Sequence, residues 1–81
     1  MMTLYFCHVR KETKGLYVIA PSPKRAIHKY AHSERVSARS VQARPANVDI
    51  DPDETECIVY PNSIVAQIYG IEYTPEERGR L

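Results

Sequence analysis

The chain has 81 residues, of which 43% are hydrophobic, so it can build one small core and cannot hold a second domain. The formal net charge is only +1, and no stretch approaches the roughly 18 uninterrupted apolar residues that a membrane-spanning helix requires. We therefore expect a single domain, residues 1–81, that does not cross a membrane.

Two runs near the N-terminus predict a β-hairpin. Residues 3–10 (TLYFCHVR) and 16–20 (LYVIA) are rich in β-branched and aromatic residues and flank the polar stretch KETKG. Both runs are apolar on both faces over part of their length, which indicates central rather than edge strands.

An amphipathic helix is predicted to follow the hairpin and to end at about His32 or Ser33. Ser22 can cap the free backbone N–H groups, and Pro23 suits the first helical position, where no donor is needed. Helical spacing gives one side to Pro23, Ala26, Ile27, Tyr30 and Ala31, and the other, called the basic helix face below, to Lys24, Arg25, His28, Lys29 and His32. We expect the apolar side to pack on the sheet.

The second half of the chain predicts shorter elements. A segment at 36–44 ends at Pro45, residues 48–51 alternate apolar and acidic side chains in a short extended stretch, and residues 55–60 (TECIVY) predict a strand. The run SIVAQIYG, 63–70, has helical spacing with Ser63 as cap and Gly70 as terminator, although a strand fits nearly as well. Residues 71–73 predict a last extended piece, and residues 74–81 start with a capping-box pattern but are too short for a stable helix, so fraying is expected.

The order of these elements predicts an α+β fold. Too few residues separate the strands for several parallel crossovers. The expected architecture is a small antiparallel β-sheet of four to five strands with one amphipathic helix packed on a face and a short second helix.

Charge is sorted along the chain. Residues 1–45 carry nine Lys or Arg against two acids, a balance of +7, whereas residues 46–81 carry eight acids against two Arg, a balance of −6. The two halves can fold against each other and cancel, or can present surfaces of opposite sign to partners. The predicted acidic surface consists of Asp49, Asp51, Asp53, Glu54 and Glu56.

The start of the helix predicts an anion-binding or partner-binding site. Lys24 and Arg25 stand in the first turn, where the helix dipole favours acids, so an anion bound among them would be stabilising. The predicted site comprises Ser22, Lys24, Arg25, His28, Lys29, Arg39 and Arg44. The alternative is a solvated face whose cations reach acids of the second half of the chain.

Nucleic-acid binding is the alternative function for the basic half. The cations would contact phosphates, while Tyr5, Phe6 or Tyr17 would offer stacking platforms on the sheet. The acidic second half and the pI of 7.8 weigh against nucleic-acid binding.

The predicted acidic surface has its own alternative functions. In an extended segment Asp49, Asp51 and Asp53 would line one edge and imitate a phosphate backbone. A turn that its acidic side chains keep soluble is more common.

Few residues are arranged for catalysis or for metal binding. His28 and His32 have the spacing of a shared metal site, but no Glu lies between them, so we expect both to be simply exposed. Cys7 and His8 are neighbours on a strand and point to opposite faces. We expect no catalytic residue, no metal and no cofactor.

Together these features predict a small non-enzymatic protein-binding module. Its size and crowded charge are typical of accessory proteins of bacteria, phages or plasmids, such as an inhibitor of a nucleic-acid-handling machine. The small core makes a homodimer a further expectation. The chain has only two cysteines, both in apolar runs, and its first ten residues lack the order of charged and apolar residues found in a signal peptide. These features predict a cytoplasmic location.

Overall fold

The chain forms a four-stranded antiparallel sheet with two helices, as seen in a computed structural model that describes residues 1–79. The strand order is β3-β1-β2-β4, which confirms the predicted α+β fold. Along the chain the elements are β1 (Thr3–Val9), β2 (Gly15–Ala20), α1 (Pro23–Glu34), a short 3₁₀ helix (Ala38–Ser40), β3 (Val41–Pro45), β4 (Cys57–Val59) and α2 (Ile64–Tyr69).

The hairpin β1–β2 lies at the centre of the sheet, as its two-sided apolar pattern predicts. Alternate residues of β1 face opposite sides: Tyr5 and Cys7 lie in one core cluster and Leu4 in the other, and all three are buried. At the start of β2, Gly15 pairs with His8, and a Cβ added to it would stand 2.1 Å from the carbonyl oxygen of Cys7. Only glycine fits this close approach of the two strands.

Helix α1 covers the first face of the sheet. The Ser22 hydroxyl oxygen accepts a hydrogen bond from the Arg25 backbone N–H at 3.2 Å, and Arg35, in the left-handed conformation, ends the helix. The helix therefore extends to Glu34, slightly beyond the predicted end. Its buried residues Ala26, Tyr30 and Ala31 come from the predicted apolar side and pack on Tyr5, Cys7, Val18, Ala20 and Val41.

Helix α2 and the segments around it cover the second face. Ser63 caps α2 by accepting from the Ala66 N–H at 3.1 Å, and Gly70 ends it with φ 67°, so the helical interpretation of 63–70 is correct. The buried cluster on this side consists of Leu4, Ile19, Val59, Ala66 and Ile71.

Two stretches expected to be extended do not join the sheet. Near 48–51, the Val48 N–H donates to the carbonyl of Ala46 at 2.9 Å, which closes a tight turn in place of a ladder. At 71–73, the Ile71 N–H donates to the carbonyl of Ala66 at 2.8 Å and so completes the end of α2. Both stretches still bring apolar side chains to the second core cluster.

Tyr73 completes the ladder between β2 and β4 with its side chain. Tyr17 and Val59 are register partners, and the Tyr73 hydroxyl lies between them. It accepts from the Tyr17 N–H at 2.7 Å and donates to the Val59 carbonyl oxygen. Burial raises the pKa of this phenol. One side chain thus satisfies two backbone groups that would otherwise be unpaired.

The segment 74–79 is hydrogen bonded to itself and to β2. The capping-box pattern is realised: the Thr74 N–H donates to Glu77 Oε1 at 2.9 Å, and the Glu77 N–H donates to Thr74 Oγ1 at 3.2 Å. The Gly15 N–H then donates to the Glu77 carbonyl, and the Tyr17 hydroxyl donates to Glu77 Oε2. Fraying was expected for 74–81, and its last two positions lie outside the described residues.

A helix that spans a membrane must be both long and apolar. Within residues 1–79, neither helix is long and apolar enough to cross a bilayer.

We predict that Tyr73→Phe lowers the free energy of unfolding by about 1–3 kcal/mol, because it leaves a backbone N–H and a carbonyl of the β2–β4 ladder unpaired. Urea denaturation followed by circular dichroism measures the change. Tyr60→Phe is the matched control, because Tyr60 is 51% exposed, and its effect should stay within about 0.5 kcal/mol. Equal losses in the two variants would contradict the bridging role of Tyr73.

Candidate functional site

The basic helix face is exposed along α1, opposite the buried stripe. No acidic residue stands in the first turn of the helix, where Lys24 and Arg25 oppose the dipole as predicted. The Arg25 side chain is 65% exposed and that of Lys29 is 35% exposed. The fold therefore presents a row of cations and imidazoles to solvent, held on a rigid helix.

One acidic residue from the second half of the chain reaches this face. Arg25 Nη2 donates to both carboxylate oxygens of Glu56, at 3.1 and 3.2 Å, and Lys29 Nζ lies 3.8 Å from Glu56 Oε2. Because the pairing of β4 with β2 brings Cys57 opposite Ile19, the preceding Glu56 stands beside the start of α1. Glu56 thus supplies the negative charge that the first turn lacks.

This contact changes the grouping of the predicted site residues. Glu56 was assigned to an acidic surface, whereas the structure places its carboxylate among the cations of α1. The sequence did not predict the strand order, so it could not predict that residue 56 lies close to residue 25. The only hint in the sequence was the first turn of α1, where two cations have no acidic neighbour. An anion from elsewhere in the chain stabilises such a turn.

A shallow depression of about 250 Å³ lies at this contact. It is lined by Arg25, His28, Lys29, His32 and Glu56. His32 was placed on the basic helix face by its spacing but was not included in the predicted site. With three cations, Lys24, Arg25 and Lys29, and one carboxylate, Glu56, the face carries a formal charge of +2 when the imidazoles are neutral.

A larger depression, of about 500 Å³, lies between the hairpin loop at 11–14 and the C-terminal turn. Its lining contains two lysines and two glutamates. Because opposite charges are mixed there, it presents no field of one sign to a partner. The basic helix face is the better candidate site.

Three other predicted site residues are not among the residues that define the basic helix face. Arg44 projects from the opposite face of the sheet, where its guanidinium lies 5.6 Å from the centre of the Phe6 ring. Arg39 lies in the 3₁₀ helix. The Ser22 hydroxyl serves as the cap of α1. Arg44, which was listed with the cations of α1, is therefore not grouped with them, because β3 turns its side chain away from α1.

The acidic residues do not form an extended row. The Asp51 carboxylate accepts from the Asp53 N–H at 2.9 Å and shapes a turn, and Glu54 Oε1 accepts from the Tyr69 hydroxyl at 2.6 Å. Asp49, Asp51 and Asp53 remain exposed, while Glu54 and Glu56 are half-buried. The regular two-residue spacing that would imitate a phosphate backbone is thus lost in the turn.

The proposed stacking platforms are occupied in the fold. Tyr5 and Phe6 are only 7% and 4% exposed, the first beneath α1 and the second on the other face of the sheet. Tyr17 packs edge-on against Phe6 and Tyr73, with ring centres 4.9 Å apart in each pair. These aromatic side chains belong to the packing of the domain, so bases cannot stack on Tyr5 or Phe6 in this state.

The histidines are separated by the sheet. His8 is buried on the face opposite α1, where its Nδ1 lies 2.9 Å from the Val9 carbonyl oxygen, whereas His28 and His32 are exposed on α1. Within residues 1–79, no three side chains of His, Cys, Asp or Glu are grouped as metal ligands would be.

Within residues 1–79, ion pairs between the two halves of the chain occur at one place. Across the described part of the chain, residues 1–79, ion pairs within 4.0 Å join Glu56 to Arg25 and to Lys29. Of the two alternatives for the sorted charges, mutual cancellation is seen at this contact. The remaining cations of α1 and the exposed acids of the 49–53 turn keep their separate surfaces.

We predict that Cys7 resists alkylation in the folded protein. Burial raises the pKa of the Cys7 thiol to about 12, so the reactive thiolate is a minute fraction at mildly alkaline pH. Burial also raises the pKa of Cys57, which is only half-buried. Iodoacetamide labelling followed by mass spectrometry should modify Cys57 first and Cys7 only slowly.

In urea, where burial is lost, both thiols should react at similar rates, which provides the control. Native protein in which Cys7 is labelled as fast as Cys57 would contradict the assignment of Cys7 as an inert core residue.

Comparison with known proteins identifies no relative from which a function could be transferred. No protein-family model matches the chain, and no curated protein or solved structure is significantly similar to it. The function is therefore inferred from the residues and geometry described above.

Proposed function

We propose that this chain is a non-enzymatic protein-binding module that uses the basic helix face to bind an acidic surface of a partner protein. The observation that carries the proposal is the row of Lys24, Arg25 and Lys29 on one face of α1, with a net charge of +2 once Glu56 is counted, beside a depression of about 250 Å³. Charges on an exposed, preorganised surface steer association with an oppositely charged partner.

A protein partner fits this surface better than a nucleic acid does. The row of cations on α1 does not continue to Arg44, which lies on the other face of the sheet, so few phosphates of an extended backbone could be contacted at once. The burial of Tyr5 and Phe6 removes the stacking contacts on which single-stranded nucleic-acid binding depends.

We also propose that the module acts in the cytoplasm as a small accessory protein. Cys7 and Cys57 are unpaired, and a reducing compartment keeps such thiols free. Burial raises the pKa of both thiols, which makes them poor nucleophiles and supports a binding role over thiol catalysis.

We predict that replacing Lys24, Arg25 and Lys29 together by Ala weakens binding to a fluorescein-labelled oligoglutamate peptide by roughly 3- to 100-fold at low salt. The estimate assumes that each exposed ionic contact contributes about 0.2–1 kcal/mol. Fluorescence anisotropy measures the dissociation constants, and the affinity of the wild-type protein should fall as salt is added because the contacts are screened.

The matched control is the triple variant of Arg10, Lys14 and Arg78 to Ala, which removes the same charge from the hairpin end and the C-terminal turn of the molecule. It should bind nearly as well as the wild type. Equal losses in the two triple variants would mean that only net charge matters and that the basic helix face is not a site. A DNA oligonucleotide of equal charge that binds more tightly than oligoglutamate would favour the nucleic-acid alternative.

A further inference from the structure

Glu56 indicates the chemical class of the ligand. Its carboxylate is the acidic group that the structure, over residues 1–79, shows in ionic contact with the cations of α1. We propose that Glu56 is an internal occupant of the binding site and that an acidic segment of a partner polypeptide displaces it, with a partner Asp or Glu carboxylate taking its place. This inference rests on the function proposed above and adds the ligand chemistry and a competition within the chain.

The geometry of the contact leaves Glu56 open to displacement. A single guanidinium nitrogen, Nη2 of Arg25, serves both carboxylate oxygens, whereas the stronger bidentate arrangement uses two nitrogens in parallel. The Lys29 ammonium is 3.8 Å away, at the outer limit of an ion pair. Because Arg25 is 65% exposed, solvent screens the contact and reduces its contribution. A partner carboxylate approaching from solvent can offer both cations better geometry.

The size and openness of the depression favour side chains over a free small molecule. Its volume of about 250 Å³ lies below the roughly 300–1,000 Å³ of small-molecule sites. It runs along α1 from Arg25 to His32, so a peptide segment lying beside the helix would place successive side chains near the cations and the imidazole N–H donors. Once Glu56 is displaced, Lys24, Arg25 and Lys29 present a charge of +3 to the ligand.

The test compares Glu56→Gln with Asp53→Asn, each of which removes one negative charge. Asp53 is exposed in the turn, outside the lining of the depression, so its variant reports only the change in net charge. We expect Glu56→Gln to bind labelled oligoglutamate about two- to fivefold more tightly than the wild type at low salt, since it removes one competing ionic contact. Asp53→Asn should bind within about 1.5-fold of the wild type.

Glu56→Asp provides a second variant should Glu56→Gln fold poorly, which thermal denaturation would show. It keeps the charge but shortens the side chain by one methylene, so the contact with Arg25 weakens and an intermediate gain in affinity is expected. No gain in either Glu56 variant over Asp53→Asn, with oligoglutamate binding to the wild type, would overturn the displacement while leaving the proposed function in place.

Two further outcomes separate the inference from the proposed function. If neither the wild type nor Glu56→Gln binds oligoglutamate at low salt, the basic helix face is not a site for acidic proteins, and the proposed function fails with the inference. If Glu56→Gln gains affinity for a DNA oligonucleotide of equal charge but none for oligoglutamate, the ligand is not an acidic polypeptide and the inference is overturned.

Discussion

The central position of the hairpin β1–β2, buried on both faces, determines where every other part of the chain is placed. Because β1 alternates Tyr5 and Cys7 towards one side and Leu4 towards the other, the sheet needs an apolar cover on each face. Helix α1 supplies the first cover, and α2 with the irregular segments around it supplies the second. Strands β3 and β4 form the two edges of the sheet, with β3 beside β1 and β4 beside β2.

That arrangement also explains why the oppositely charged halves meet at Glu56. The basic half forms the hairpin, α1 and β3, while the acids follow β3 in an irregular stretch that leaves the sheet before β4. The chain returns to the sheet at Cys57, opposite Ile19, which brings the preceding Glu56 close to the first turn of α1. Asp49, Asp51 and Asp53 remain in their turn, and Glu54 is held by Tyr69.

Local rules predicted most of the elements, because caps, prolines and two-sided apolar runs act over a few residues. Ser22, Ser63 and Gly70 begin or end helices as their side chains or backbone freedom suggest. Long-range partners were not predictable in this way. The bridging of β2 and β4 by Tyr73 and the arrival of Glu56 at Arg25 depend on the strand order, and the position of Arg44 depends on the register of β3. The cations of the candidate site were therefore found from helical spacing, while its carboxylate was not.

The unfavourable cations in the first turn of α1 affect both the stability of the helix and the binding proposed for it. A first turn with two cations and no acid is unfavourable next to the positive end of the helix dipole, so a carboxylate near Arg25 lowers the free energy whichever chain supplies it. Glu56 offsets that repulsion from a half-buried position, with one guanidinium nitrogen of Arg25 engaged and Lys29 at a longer distance. Since Glu56 stabilises the cations only in part, the acidic partner segment that we propose would gain the remaining stabilisation. The net binding free energy would then be the difference between the partner's carboxylate contact and the Glu56 contact that it replaces. Such a small difference suits a reversible protein–protein interaction better than a permanent one.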